Sequence, residues 1–127
     1  MRVLLDTHAF LWAIGQPGKL SERAKQIIQA ESNQLLLSAA SLWEIALKVR
    51  AGKLRLQERP DFFISHMANL GVEVLPIDGS HVLGVLGLPD HHRDPFDRLL
   101  IAQCQAEQLV FLSGDEVARR YAVEVLW

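Results

Sequence analysis

The chain has 127 residues, half of them hydrophobic, and we expect one domain over residues 1–127. A formal net charge of −2 excludes the strong overall positive field that many nucleic-acid-binding proteins carry, so local charges would have to hold such a ligand. The mean hydropathy of +0.13 predicts apolar surface that another chain covers, and we therefore expect an oligomer or a tightly bound partner.

The first half of the chain alternates short apolar runs, typical of strands, with amphipathic segments, typical of helices. We predict a strand, two helices, a strand and a helix over residues 3–5, 7–14, 21–30, 35–37 and 41–51. Ser21 caps the second helix. Ser41 and Glu44 form an S-x-x-E pattern, which predicts a capping box at the start of a helix that Gly52 ends.

The second half continues the alternation. We predict helices over residues 60–70, 81–86, 95–107 and 115–121, with strands over 72–77, 110–112 and 123–126. Asp94 followed by Pro95 predicts an N-cap and the first helical position of the third of these helices. Parallel strands need crossover helices that cover both faces of the sheet. The chain therefore predicts an α/β fold, a three-layer α/β/α sandwich around a central parallel sheet of four or five strands.

The compartment follows from the start of the chain and from its single cysteine. Residues 1–6 contain a short apolar run that ends in an acid, which predicts neither a signal peptide nor a membrane span. Cys104 has no partner for an internal disulfide, and its apolar sequence context favours a buried, inert thiol. We expect a cytoplasmic protein without membrane association.

Acidic side chains follow the predicted strands or open the helices after them. They are Asp6, Glu44, Asp78, Asp94, Asp97 and Asp115. The carboxyl ends of parallel strands meet at one edge of a sheet, so several of these acids should converge there. Converging carboxylates repel one another unless a hard cation such as Mg²⁺ or Mn²⁺ compensates their charge. Such an ion promotes hydrolytic phosphoryl chemistry.

Each acid also has a structural interpretation. Glu44 would complete the capping box, and acids such as Asp94, Asp97 and Asp115 commonly cap helices or interact with the helix dipole. Spacing alone does not decide between capping and metal binding, nor between Asp78 and Asp115 as a site residue. What favours a metal is the recurrence of acids where Ser, Thr or Asn would cap equally well.

Three segments carry a resemblance to a known family. They are LLDTHAFLW at 4–12, SAASLWEIA at 38–46 with Lys48 and GKL at 52–54, and LP at 88–89 with HRDPFDRLLIAQ at 92–103. Together they resemble the PIN-domain nucleases of toxin-antitoxin systems, often called VapC-type, over nearly the whole chain. The resemblance implies strand order 3-2-1-4-5 and a toxin that is an Mg²⁺- or Mn²⁺-dependent endoribonuclease.

The resemblance also implies roles for individual residues. The catalytic metal ligands would be Asp6, Glu44, Asp97 and Asp115. Side chains expected to support those ligands by hydrogen bonds are Thr7, Ser113 and Asp94. Asp94 suits a helix cap as well. The implied strand order puts Asp78 at the sheet edge, outside the cluster, and Cys104 stands where the family usually has alanine.

Substrate contacts are predicted from local cations. The candidates are Lys48, Arg50, Lys53, Arg55, Arg93 and Arg98. Each has an alternative as the solvated face of a helix, and Arg98 could instead pair with a carboxylate. The aromatic residues interpreted as core or interface are Trp12, Trp43, Phe62 and Phe63. His8 could touch substrate or pack, whereas His91 and His92 are interpreted as solvated loop residues because a zinc site lacks dependable ligand spacing here.

The resemblance implies RNA as substrate, a homodimer, and a separate antitoxin whose segment occupies the cleft. One alternative is a catalytically silent PIN-like module that binds RNA or a protein. Another is a phosphotransfer protein with a reactive aspartate. An aspartyl phosphatase needs an acid two residues after the first, where this chain has His8. A receiver domain would use Asp78 and needs a lysine after its fifth strand, and the sequence up to Trp127 has no such lysine.

Overall fold

The computed structural model describes residues 1–54 and 60–127, with all of their side chains except those of residues 60–62. Arg55 and the Phe62 side chain lie outside this part. The strands are β1 (Arg2–Leu5), β2 (Gln34–Ser38), β3 (Val72–Leu75), β4 (Val110–Leu112) and β5 (Val125–Leu126). The helices are α1 (Thr7–Gly15), α2 (Glu22–Gln29), α3 (Ala39–Arg50), α4 (Pro60–Leu70), α5 (Gly79–Gly84) and α6 (Pro95–Glu107), with 3₁₀ turns at Pro17–Lys19, Val85–Gly87 and Glu116–Arg120.

The strands form one parallel sheet in the order β3-β2-β1-β4-β5, which confirms the predicted topology. β1 is central, and Leu4 is in register with Leu36 of β2 on one side and Phe111 of β4 on the other. From β1 the chain winds outward in one direction to β3 and then returns to β4. The carboxyl ends of β1 and β4 therefore flank the point where the winding direction reverses, which is where open α/β sheets form their sites.

Apolar cores cover both faces of the sheet. Val3 and Leu5 of β1 pack into one cluster, which includes Phe10 of α1, while Leu4 packs into the other, with Leu100 of α6. Successive strand residues point to opposite faces, so the consecutive apolar residues Val3, Leu4 and Leu5 require a helix layer on each face. This confirms the α/β/α sandwich. In the described part of the chain, no helix has both the length and the apolar character needed to cross a membrane.

Several predicted helix ends are confirmed. The Ser21 hydroxyl accepts a hydrogen bond from the Ala24 amide at 3.0 Å at the start of α2. Asp94 caps α6, with Pro95 at the first helical position. Gly71, which follows α4, has a φ of +68°, a conformation that favours glycine.

The predicted capping box at Ser41 is wrong. Helix α3 begins at Ala39, and the Ser38 side chain caps it by accepting a hydrogen bond from the Ala40 amide at 3.0 Å. β2 leads into the helix without an intervening loop, so Ser38 reaches the cap position first. Ser41 lies inside the helix and Glu44 in its second turn, so Glu44 has no capping role.

Other element boundaries differ for similar reasons. β3 ends at Leu75, and α5 begins earlier than predicted because Asp78 accepts hydrogen bonds from the amides of Ser80 and His81. The predicted helix over residues 115–121 is a 3₁₀ turn, and the last strand begins at Val125, not at residue 123. These differences leave the acids at the carboxyl edge of the sheet in place.

Candidate active site

Asp6 follows β1 directly, and its amide donates a hydrogen bond to the Leu112 carbonyl of β4 at 3.0 Å. Its side chain is buried and does not cap α1, although the residue occupies the N-cap position. Oδ2 accepts a hydrogen bond from the Ser113 hydroxyl at 2.7 Å, while Oδ1 is buried without a hydrogen-bond partner. Burial raises the pKa of Asp6, and the bond from Ser113 opposes that rise.

Glu44 projects from the second turn of α3 and is buried. Its Oε2 lies 3.1 Å from Nζ of Lys48, one helical turn further on. Lys48, predicted as a phosphate contact, therefore balances the charge of a predicted metal ligand. The Lys48 side chain is 36% exposed and that of Glu44 only 8%, so an incoming ligand can reach the ammonium group.

Asp97 lies in the first turn of α6, close to the other acids of the site. Burial, together with the carboxylates of Asp6, Asp94, Glu44 and Asp115, raises the pKa of Asp97 to about 8. Residues from four separate segments thus bring negative charge to one place. In the protein without metal, Asp97 is protonated below about pH 8 because these neighbours disfavour its charged form.

His92 belongs to the site, and its interpretation as a solvated loop residue is wrong. Its Nε2 lies 2.7 Å from Oδ2 of Asp115 and 3.3 Å from Oδ2 of Asp97, and its side chain is only 15% exposed. Its Nδ1 accepts a hydrogen bond from the Asp94 amide at 3.1 Å. Nε2 of the neutral ring must therefore carry the proton and donate to Asp115. By contrast, His91 is exposed and meets the Tyr121 ring edge-on.

His92 could have been found from its position two residues before the N-cap Asp94. From there a histidine ring can accept the hydrogen bond of the cap residue's own amide. The second contact, with Asp115, depends on the tertiary fold and has no signal in the local sequence.

Asp115 caps a 3₁₀ turn with one carboxylate oxygen and faces His92 with the other. Its Oδ1 accepts a hydrogen bond from the Val117 amide at 2.9 Å, as a capping residue does, while Oδ2 faces His92. Each carboxylate oxygen has two acceptor positions, so these bonds leave room for a cation. Nε2 of His92 and carboxylate oxygens of Asp97 and Asp115 all lie within 4.8 Å of one another, and the two carboxylates are the groups that could coordinate a cation.

The predicted supporting residues have different surroundings. Ser113 bonds to Asp6, as described above. The Thr7 hydroxyl instead donates to Oγ of Ser41 at 2.9 Å, which links α1 to α3 behind the carboxylates. Asp94 caps α6 through Oδ1, 2.8 Å from the Phe96 amide, and its charge contributes to the raised pKa of Asp97 after burial and Asp6.

The guanidinium group of Arg98 donates hydrogen bonds to backbone carbonyls of the preceding loop. Its Nη1 donates to the Pro89 carbonyl at 2.8 Å, and Nη2 lies 3.3 Å from the Val85 carbonyl, so the guanidinium group pins the segment before α6. The predicted pairing with a carboxylate is limited to Asp90, at 3.7 Å. The other predicted phosphate contacts on described residues are exposed or half-exposed; they are Lys48, Arg50, Lys53 and Arg93.

An open cleft of about 440 Å³ is lined by Asp6, Asp97, Asp115 and His92. His8, Trp12, Lys19 and Trp127 line it as well, and Trp12 is also partly packed on the core. Trp43 is neither in the core nor in the cleft: it is 60% exposed on α3 and contacts the Phe96 ring.

The residues of this cleft fit a divalent cation. A buried carboxylate oxygen of Asp6 without a hydrogen-bond partner and an acid whose charge is disfavoured by its acidic neighbours both gain from a cation between them. The oxygen-rich donor set is that of Mg²⁺ or Mn²⁺.

A second acid-histidine cluster consists of Asp78, His81 and Glu107. His81 accepts a hydrogen bond from the Asp78 amide at Nδ1, so its Nε2 carries the proton that is donated to Glu107 at 2.8 Å. The ring therefore has no free lone pair for a metal. This cluster fastens α5 to α6, and Asp78 lies outside the candidate site, as the strand order implied.

Comparison with known proteins gives a family and relatives. A family model described as the PIN domain matches residues 3–124. Ribonuclease VapC16 of Mycobacterium tuberculosis is 40% identical over 58 residues. That alignment covers 45% of this chain and 41% of the relative, so the chain matches less than half the length of this curated protein.

The solved structures share the fold at low sequence identity. VapBC2 from Rickettsia felis, solved bound to a promoter DNA fragment, has a TM-score of 0.73 at 14% identity, covering 99% of this chain and 98% of that chain. FitAcB from Neisseria gonorrhoeae has a TM-score of 0.63 at 17% identity, covering 98% of this chain and 96% of that chain.

Proposed function

The chain belongs to the PIN domain family, and on that premise we propose that it is a metal-dependent endoribonuclease, the toxin of a toxin-antitoxin pair. The relative named as a ribonuclease supports hydrolysis of RNA phosphodiester bonds as the reaction. We further propose that residues 1–127 act as a single PIN domain.

One observation carries the proposal: the convergence of carboxylates on Asp97. Asp6, Asp97 and Asp115 line one cleft, and burial, followed by the charges of Asp6, Asp94, Glu44 and Asp115, raises the pKa of Asp97 to about 8. A fold that only needed helix caps would not gather acids in this way, because their mutual repulsion is unfavourable without a cation. The arrangement is the one that metal-assisted phosphoryl hydrolysis requires.

We assign Asp6, Glu44, Asp97 and Asp115 as the residues that would hold the metal. When bound there, Mg²⁺ or Mn²⁺ would polarise the phosphodiester and lower the pKa of a water molecule. Ser113 fixes one oxygen of Asp6, and the other oxygen is buried without a hydrogen-bond partner, which leaves it available to a cation. His92 fixes Oδ2 of Asp115. Both hydrogen bonds hold the carboxylates in place before any ligand arrives.

The substrate contacts are a separate part of the proposal. Arg93 and Arg50 are exposed and available to RNA phosphates, and Lys48 can share its charge between Glu44 and a phosphate. Arg98 is left out because its guanidinium group is bonded to loop carbonyls.

The proposal also includes an antitoxin, a homodimer and a cytoplasmic location. The resemblance to VapC-type toxins, and structural neighbours solved as VapBC2 and FitAB assemblies, support an antitoxin protein as partner. Apolar side chains exposed on the surface support a homodimer or an antitoxin interface; they include Trp43, Leu47, Val82, Leu83 and Leu86. We place the protein in the cytoplasm, where its RNA substrate would be.

The test is cleavage of a single-stranded RNA by the purified protein with Mn²⁺, with Mg²⁺ and with a chelator. Asp6→Asn and Asp97→Asn each remove a ligand charge with little change in volume and should abolish cleavage. Glu31→Gln, at an exposed acid before β2, is the matched control and should cut normally.

Divalent-dependent cleavage by both aspartate variants would refute the assignment of the ligands. If the wild-type protein binds RNA but never cleaves it with either metal, the chain is the silent RNA-binding module, and the nuclease proposal is wrong.

A further inference from the structure

Aromatic rings and a cation line the same cleft as the carboxylates. We call His8, Trp12, Lys19 and Trp127 the aromatic wall. The Trp12 ring contacts both His8 and Trp127 with centroid distances of 5.8 Å. Nζ of Lys19 lies 5.8 Å from the centroid of the Trp12 ring. His8 and Lys19 are exposed, and both tryptophans are half-buried.

Gly114 sets the position of Trp127. A Cβ atom added at Gly114 would lie 2.9 Å from Cε2 of the Trp127 ring, closer than real Cβ atoms approach other atoms. The glycine stands between Ser113 and Asp115, two residues of the candidate site. The absence of a side chain there lets the indole ring close against the backbone that carries Asp115.

The aromatic wall and the carboxylates share one open cleft. Its volume of about 440 Å³ is in the range that holds a small organic ligand. A ligand bound at the carboxylates that also fills this cleft can therefore contact the rings. The inference that follows rests on the proposed nuclease function. It concerns which part of the RNA lies beside the phosphate that is cleaved.

We propose that the aromatic wall binds one unpaired nucleobase of the RNA substrate, with Lys19 contacting a phosphate of the same strand. Aromatic rings stack on any base, and a neighbouring lysine or arginine tracks the backbone; this combination is typical of proteins that bind single-stranded nucleic acid. Bases inside an A-form duplex are already stacked and cannot reach these rings. The wall thus selects single-stranded RNA.

The ring geometry specifies how the base stacks. Trp12 and Trp127 are tilted by 56° with centroids 5.8 Å apart, so no room exists for a base between them. The base therefore stacks on the open face of one indole. We assign this role to Trp127, which adjoins Gly114, the residue before Asp115, while Trp12 supports it from the core.

Two alternative roles of the aromatic wall predict different results. If the rings only complete the core, substitutions at Trp127 change stability and leave RNA affinity unaltered. If the wall receives a side chain of a protein partner, they weaken that complex and leave RNA affinity unaltered. The aromatic and cationic composition favours a base with its phosphate, since one surface then serves both groups.

The experiment measures binding of a short single-stranded RNA, and of the same RNA with all bases removed, to protein carrying Asp97→Asn to prevent cleavage. Trp127→Leu keeps an apolar side chain but removes the stacking surface, whereas Trp127→Phe keeps a ring. Trp43→Leu is the matched control, because Trp43 lies outside the cleft lining. Thermal unfolding of each variant checks the fold.

Trp127→Leu should weaken binding of the intact RNA about 5- to 150-fold, the range for loss of one stacked base. Trp127→Phe should retain most of the affinity, and the base-free strand should bind wild type and Trp127→Leu alike. Lys19→Gln should weaken binding of both strands and reduce the salt dependence by about one released counterion. Lys25→Gln, at a lysine paired with Glu22, is its control.

Equal affinity of wild type and Trp127→Leu for the intact RNA would overturn the proposal, and so would an equal loss for the intact and base-free strands. Cleavage separates this outcome from failure of the proposed function. If the wild-type protein cuts RNA with Mn²⁺ and Trp127→Leu cuts with an unchanged KM, the base site is wrong and the nuclease stands. If the wild-type protein cuts nothing, the nuclease proposal fails whatever the wall binds.

Discussion

The Ser113 hydroxyl donates a hydrogen bond of 2.7 Å to Oδ2 of Asp6, while the other oxygen of that buried carboxylate has no hydrogen-bond partner. One oxygen is thus fixed by the protein and one is left for a cation. In the proposed site, this division of roles within a single side chain would orient Asp6 as a metal ligand.

Ser113→Ala should therefore weaken metal binding. Without the hydroxyl, Asp6 loses the bond that opposes the rise in its pKa, and its orientation is no longer fixed. We expect Mn²⁺ affinity, measured by calorimetry, to fall about 10- to 100-fold, as for loss of a group that orients a ligand. Ser32→Ala, at an exposed serine, is the control. An unchanged affinity in Ser113→Ala would contradict the role given to this bond.

The pH dependence of stability follows from Asp97. Burial and then the carboxylate of Asp6 are the main causes that raise its pKa from 3.8 to about 8. Between these values the folded protein keeps a proton that the unfolded chain releases, so the metal-free protein loses stability as the pH rises from about 4 to about 8. Asp97→Asn removes this loss and should raise the Tm at pH 8 by about 5 °C, with little change at pH 4.

Thermal unfolding in a chelator measures this effect, and Mn²⁺ provides the complementary measurement. The ion should raise the Tm of the wild-type protein at pH 8 and leave that of Asp97→Asn nearly unchanged, because the aspartate can no longer supply a charged ligand. Parallel curves of Tm against pH for the wild-type protein and Asp97→Asn would show that Asp97 does not titrate as described.

His92 should act as a positioning residue. Its Nε2 proton is directed at Asp115, because the Asp94 amide occupies Nδ1. His92→Ala should lower kcat for RNA cleavage by about 10- to 100-fold, with a smaller effect on KM. His92→Gln supplies an amide N–H near the same place and should recover part of the loss. His91→Ala, at the exposed neighbouring histidine, should be close to wild type; equal losses at both positions would point to a general effect on the loop.

Substitutions at Arg98 and Arg93 should have different effects, the first on stability and the second on RNA binding. Removing the Arg98 guanidinium group leaves the Pro89 and Val85 carbonyls without their donor, so Arg98→Ala should cost about 2 kcal/mol of unfolding free energy in denaturant titration. Arg93→Ala should leave stability unchanged and weaken RNA binding in a salt-dependent way. The reverse pattern would restore Arg98 as a phosphate contact.

Sequence patterns predicted the elements and the acids, because caps and apolar periodicity are local. Ser21, Asp94 and Gly71 needed only their neighbours in the chain to be interpreted. The strand order came from the family resemblance, since apolar runs alone do not specify which strands are adjacent. The sheet order then explains why Asp78 stays away from the other acids.

What sequence reasoning missed depends on contacts between distant segments. Ser41 had the local pattern of a cap, but β2 runs directly into α3 and its hydroxyl bonds to Thr7 instead. His92 reaches Asp115, 23 residues further along the chain, and Arg98 folds back on the preceding loop. Such contacts exist only after the sheet has assembled, so no local pattern encodes them.

The bond between Asp6 and Ser113 joins residues 107 positions apart in the chain. The carboxylate cluster consequently cannot assemble while the ribosome is still producing the first hundred residues, because β4 and the residues after it have not yet been made. On the proposed function, a translation product that stops before residue 113 would lack both the Asp6–Ser113 bond and Asp115, and it would therefore not cleave RNA.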